Sequence, residues 1–235
     1  VYVIALQLKN SILSFAMNVY KAVSPQITKT YASGEMEHHK MLVYMGSKMA
    51  VYMLYLIFFP FLFQADYIMH LWLGKVPPYT IEFAQATAFI SLTYAAFEPI
   101  RSAVLATNRI TKFMLVPDSF YLLVLPLGDF GAKIGGNPIL LIITIGTFDI
   151  LTCVVRICYA VKYTVLTFGE LFRQFLRPVL LISFGACMLQ WGVSYICLPQ
   201  FGELIFRIAV NGCFVLAFLL VSEKEIRRFF QERLN

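Results

Sequence analysis

VYVIALQLKNSILSFAMNVYKAVSPQITKTY, residues 1–31, is apolar enough for a membrane helix yet carries a polar stripe. Gln7, Asn10, Ser14, Asn18 and Lys21 follow one another at spacings of three, four, four and three. In an α-helix those spacings keep all five on one face. Ile4, Leu8, Ile12, Phe15 and Val19 form the opposite face, which suits lipid or neighbouring helices. A polar stripe in a spanning helix is costly unless it meets a bundle interior or a water-filled cavity. The stripe is therefore expected to line a polar path, with the following helices as the wall around it.

The rest of the chain has the composition of such a setting. It is 235 residues long, 60% hydrophobic and 14% charged, with mean hydropathy +0.74. Soluble domains run at about 45–50% apolar and about 25% charged. The composition gives an all-α integral membrane protein. The net charge of +6 is spread between apolar segments rather than gathered in a nucleic-acid patch, so no nucleic-acid partner is expected. Cys153, Cys158, Cys187, Cys197 and Cys213 lie in apolar stretches without ligand spacing, and are expected to be small buried hydrophobes. Val1 already sits inside a helical pattern, with no basic leader or cleavage site. The chain is expected to be the C-terminal piece of a longer one, its N-terminal half missing.

A spanning helix needs about 20 mostly apolar residues, and about seven segments qualify: 1–28, 41–63, 79–106, 113–130, 138–161, 177–198 and 203–222. The fourth carries Pro117 and Pro126 and is expected to be kinked or broken. The last two form a helical hairpin around Pro199 and Gly202. Residues 1–161 read as part of a bundle of five spans, 162–177 as an amphipathic cytoplasmic connector, 178–222 as the hairpin and 223–235 as a basic tail. Eleven basic residues fall on one side: Lys29, Lys40, Arg109, Lys112, Lys162, Arg173, Arg177, Lys224, Arg227, Arg228 and Arg233. Lys75 and Lys133 fall on the other. That asymmetry puts the C-terminus in the cytoplasm.

Charges inside the spans are the candidate functional groups. Glu98 and Arg101 are three apart beside Pro99 and can pair on the helix surface. Arg101 also has the geometry for phosphate. Asp149 and Arg156 are seven apart, too far for a relaxed pair, so each is expected to find a partner on another helix. Asp149 is a candidate proton or cation site. Lys9 falls off the centre of the stripe, Arg207 is expected at the outer interface, and His38 and His39 are expected in a solvated loop. Nothing forms a Ser/His/Asp set, paired catalytic carboxylates or a metal-ligand set. GAKIGG at 131–136 reads as a loop rather than a nucleotide fingerprint, because no strand precedes it. No enzyme, catalytic residue, metal site or cofactor is expected.

Three motifs carry a family resemblance. The run NVYKAVSPQITKTYASGE at 18–35 resembles the N…PQITKSYAAGD segment of bacterial polysaccharide flippases, the Wzx-type members of the MOP exporter superfamily. LWLGKVP at 71–77 and ATNRITK at 106–112 resemble the motifs that follow it, in the same order. The resemblance covers residues 1–180, and the final hairpin by hydropathy only. It implies the C-terminal bundle of a MATE-like transporter without its first helix, plus an added C-terminal helix pair. It also implies a multi-pass protein of the bacterial inner membrane. Such a protein would flip undecaprenyl-diphosphate-linked oligosaccharide, an O-antigen or capsule repeat unit, to the periplasmic leaflet by alternating access.

On that reading the partners are membrane lipid, lipid-linked oligosaccharide and the missing N-terminal half. Asn10, Ser14, Asn18, Lys21, Glu98 and Arg101 are the cavity candidates. Asp149 and Arg156 are the coupling candidates, for Na+ or H+. A cation-coupled multidrug antiporter of the same superfamily would favour a cavity rich in acids, whereas the intramembrane charges here are mainly Lys and Arg. An enzyme of polysaccharide assembly would be expected to carry a large outer loop, and the outer loops here are short. A non-transporting fragment is the remaining alternative.

Overall fold

The structure is a computed structural model that describes residues 2–135, 139–196 and 198–222. It is helical, with no strand among the described residues. The long helices are α1 (Tyr2–Ala32), α2 (Met36–Phe63), α4 (Thr80–Ala106), α7 (Ile139–Tyr163), α9 (Arg177–Val193) and α10 (Gln200–Ser222). Shorter helices fill the connections: α3 (Ala65–Leu73), α5 (Ile110–Ser119), α6 (Tyr121–Gly135) and α8 (Phe168–Leu171).

The core is built by α1, α2 and α4. The inner face of α4 is made of small residues: Ala84, Ala88, Ser91, Ala95, Ser102 and Ala103 are all buried. Small side chains let neighbouring backbones approach, which is how apolar helices gain contact when lipid removes the hydrophobic drive between them. Gly46 of α2 extends the same device. A Cβ there would stand 3.1 Å from Val23 and 3.5 Å from Pro99, so α1, α2 and α4 meet at that point with no spare room. Hydroxyls tie the helices further: Ser24 bonds Ser102 at 2.9 Å, and Ser102 donates to the Tyr20 hydroxyl at 3.2 Å. Phe58 stacks edge-on against Phe89 with 4.9 Å between centroids.

α1 and α2 are joined by residues 33–35 alone. Gly34 takes the left-handed conformation (φ +79°) that closes a helix end without a Cβ clash. The Glu35 amide donates back to the Thr30 carbonyl at 3.0 Å. The basic loop expected at 29–40 is therefore a tight turn, with Lys29 and Lys40 on helix ends. His38 is exposed, but His39 is fully buried on α2, its Nδ1 2.9 Å from the Ile27 carbonyl. The loop expectation failed for His39 because the helix starts before it and turns it onto α1.

The segment expected at 113–130 is broken as the prolines suggest, into α5 and α6 meeting at Phe120. Residues 131–135, expected as a loop, continue α6. The connector differs too. It does not form a separate surface helix; α8 passes through a π-helical turn, Phe172–Leu176, directly into α9. Leu171 and Phe175 are buried against the bundle while Phe168 and Phe172 point outward, so the expected apolar face is split. Lys40 anchors this region, reaching Glu37 at 3.2 Å and Glu170 at 3.4 Å.

α9 and α10 form the expected hairpin and pack on α2. Ser183 and Tyr55 are hydrogen-bonded, and Asn211 donates to the Tyr55 carbonyl at 2.7 Å. Arg207, expected at the outer interface, is buried within the hairpin. It is 2% exposed, and its guanidinium donates to Glu203, Gln190 and Ser194 and lies 5.4 Å from the Phe63 ring centroid. Glu203, Gln190 and Ser194 supply the acceptors that a buried guanidinium needs. The cysteine expectation also fails in part: Cys158 and Cys213 are exposed on apolar helix faces. Cys197 and the basic tail at 223–235 lie outside the described residues.

Among the described residues, five helical stretches are long and apolar enough to cross a membrane: Met36–Phe63, Ile110–Gly128, Leu140–Tyr163, Phe168–Val193 and Gln200–Val221. Two of the expected spans, on α1 and α4, fall outside that set. They carry the polar stripe and the buried small and hydroxyl residues, which lower their hydropathy.

Candidate functional site

The polar stripe keeps its predicted face on α1, but the following helices do not enclose it. Gln7, Asn10, Ser14, Asn18 and Lys21 are all exposed. The buried side of α1 is Ala5, Ile12, Ala16 and Ile27, which pack on α2 and α4. Phe15, assigned to the lipid or helix face, is 54% exposed. The inward side of α1 thus combines the small Ala5 and Ala16 with Ile12 and Ile27. Asn10, Ser14, Gln7 and Ser11 border a shallow groove with Val3 and Leu6. Ser14 spends its hydroxyl on the Ser11 carbonyl at 2.7 Å. Asn10, Asn18 and Lys21 make no side-chain hydrogen bond among the described residues.

Glu98 and Arg101 pair as their spacing predicts, with both carboxylate oxygens 3.1 Å from the same guanidinium nitrogen. Glu98 is the more buried partner, and the Arg101 side chain is 40% exposed. They line a narrow cleft with Tyr94, Phe97, Phe113 and Arg156. Arg156 and Asp149 each find a partner on another helix, as expected. Arg156 pairs with Asp118 of α5 at 2.6 Å. Asp149 is 4% exposed and accepts from Thr93 of α4 at 2.6 Å and from Tyr121 of α6 at 2.8 Å. Tyr94 and Tyr121 lie side by side in the lining of the same cavity.

Asp149 stands at the polar end of a cavity of about 430 Å³ between α1, α4, α6 and α7. Lys9, Tyr94 and Tyr121 share that end, and Leu6, Phe83, Ile90, Val124, Leu141 and Ile145 are among the apolar walls. The Lys9 ammonium lies 4.2 Å from the Tyr94 ring centroid, a cation–π distance.

The candidate residues therefore fall into three neighbouring places rather than one. Asn10, Ser14, Asn18 and Lys21 lie on the outer face of α1. Glu98, Arg101 and Arg156 share the narrow cleft. Asp149 lies in the cavity. Tyr94 lines both cleft and cavity, and Leu6 lines both cavity and groove. Thr93, Tyr94, Asp118 and Tyr121 were not singled out from the sequence. Tyr94 sits one turn before Glu98, which was a usable signal; the others are visible only once α5, α6 and α7 pack on α4.

The comparisons add no relative: no family model, curated protein or solved structure matches the chain.

Proposed function

We propose that this chain is part of a membrane transporter that flips an undecaprenyl-diphosphate-linked oligosaccharide from the cytoplasmic to the periplasmic leaflet. The observation that carries the reading is the exposed stripe on α1. Asn10, Asn18 and Lys21 cannot face hydrocarbon without a cost of a few kcal/mol per charged group, about 2.5–3.5 on insertion scales. A face of this kind is expected to border a polar space, which on this reading is closed from the other side by a second bundle. Amide and ammonium groups suit sugar hydroxyls and phosphate. Arg101, half open to the outside, is assigned to the diphosphate.

On this reading α1 and α4 also cross the membrane, giving seven crossings and a cytoplasmic C-terminus in a bacterial inner membrane. The MOP-like bundle is then α1 to α7, and α9 and α10 are its added pair. Asp149, deep in the bundle, is the coupling acid for Na+ or H+.

The test is the lipid-linked pool in cells lacking the intact gene, measured by mass spectrometry with an assay of which membrane face it occupies. Accumulation on the cytoplasmic face, reversed by the gene, supports the flippase. An unchanged pool rejects it and favours the multidrug antiporter.

A further inference from the structure

The cavity between α1, α4, α6 and α7 carries two opposite charges, Lys9 and Asp149, among walls that are mainly apolar. Its volume, about 430 Å³, lies within the range of small-molecule pockets, roughly 300–1,000 Å³. The Thr87 hydroxyl in its lining is already bonded to the Ala84 carbonyl at 3.0 Å and the Ala5 carbonyl at 3.4 Å. Phe83, Ile90, Leu141 and Ile145 supply hydrocarbon.

Asp149 acts on Lys9 by charge, yet the two do not meet as an ion pair. The ammonium lies on the Tyr94 ring instead, 4.2 Å from its centroid. That cation–π contact holds it to one side. Both groups keep unused capacity. The Asp149 carboxylate accepts from Thr93 on one oxygen and from Tyr121 on the other, which takes two of its roughly four lone-pair sites. The Lys9 ammonium has three donors to offer.

The ligand class follows from the two signs together. A cation pairs with Asp149 and is repelled by Lys9. An anion pairs with Lys9 and is repelled by Asp149. A neutral molecule offers each charge a dipole at most, and charges among apolar walls are costly unless paired. A small zwitterion meets both and leaves the net charge of the site unchanged. The neighbouring cleft adds no bias of sign, because its charges are matched, Glu98 with Arg101 and Arg156 with Asp118.

We propose that this cavity binds an aliphatic α-amino acid of about the size of leucine, as its zwitterion. Its ammonium sits on the Asp149 carboxylate, its carboxylate on the Lys9 ammonium, and its side chain along Ile90 and Ile145. The inference rests on the cavity alone and is separate from the transport reading. Failure of the export assay leaves it standing, and absence of binding leaves the exposed stripe as it is.

The chain is purified in a neutral detergent, and retention of tritiated leucine is measured by scintillation proximity. Retention is expected, with displacement at least tenfold less effective by isoamylamine, which is leucine without its carboxylate, and by isocaproate, which is leucine without its ammonium. Lys9→Gln and Asp149→Asn should each lower retention at least tenfold, and Lys9→Arg should preserve it. Absence of retention overturns the proposal. So does displacement by isoamylamine or isocaproate equal to that by leucine, or undiminished retention in either neutral variant at unchanged circular dichroism. Should those variants fail to fold, a diazirine analogue of leucine on the unaltered protein decides. Labelling of residues 83–94 and 141–149, competed by leucine, supports the site; labelling elsewhere, or uncompeted labelling, overturns it.

Discussion

The Thr93 hydroxyl of α4 donates to the Asp149 carboxylate of α7 across 2.6 Å, and Tyr121 of α6 donates to the other oxygen of the same acid. One buried acid therefore ties α4, α6 and α7 together at the edge of the cavity that they share with α1.

Asp149→Ala is expected to destabilise the protein by about 1–3 kcal/mol, the cost of leaving buried hydroxyls without their acceptor. Asp149→Asn, which keeps an acceptor oxygen, is expected to cost less. Thermal unfolding in detergent, followed by size-exclusion fluorescence, ranks the two. Equal midpoints for wild type and Asp149→Ala would remove the acid from the tie.

Arg207 holds the α9–α10 hairpin together through Gln190, Ser194 and Glu203. Removing one partner of a buried pair strands the other, so Arg207→Ala should cost about 3–5 kcal/mol. Arg207→Lys should fall between, because an ammonium cannot reproduce the planar fork. The readout is resistance of the hairpin to proteolysis in detergent. If Arg207→Ala is as resistant as wild type, the network is incidental.

The two faces of α1 can be told apart by labelling. In a cysteine-free background, cysteine at Asn10 or Asn18 should react with a membrane-impermeant maleimide in intact membranes. Cysteine at Ala5 or Ala16, both buried, should not. Protection of Asn10 and Asn18 equal to that of Ala5 would mean that the stripe borders no water.

Arg101→Ala is expected to impair export in the intact transporter while leaving its abundance unchanged. Arg101 is 40% exposed and its carboxylate partner lies on the same helix, so its loss removes no tie between helices. Normal export at normal abundance would take Arg101 out of the substrate path.

The helical class, the break that follows Pro117, the Glu98–Arg101 pair and the final hairpin were all legible from local sequence. Each depends on spacing along one helix or on the chemistry of proline, which the neighbours do not change. The candidate site was legible only in its charges. Asp149 announces itself as an acid in an apolar run, but its partners are 56 and 28 positions away in the chain. No period connects them.

The sequence by itself determined which α1 residues share a face, and that a polar face has to meet something other than hydrocarbon. Only the tertiary structure decided which way that face points. Ala5, Ile12, Ala16 and Ile27 pack against α2 and α4, so the amides and Lys21 turn out. The same packing carried Arg207 and His39 from expected surfaces into the interior. A side chain's place depends on which helices close around it, and that is settled by backbone approach, not by polarity alone.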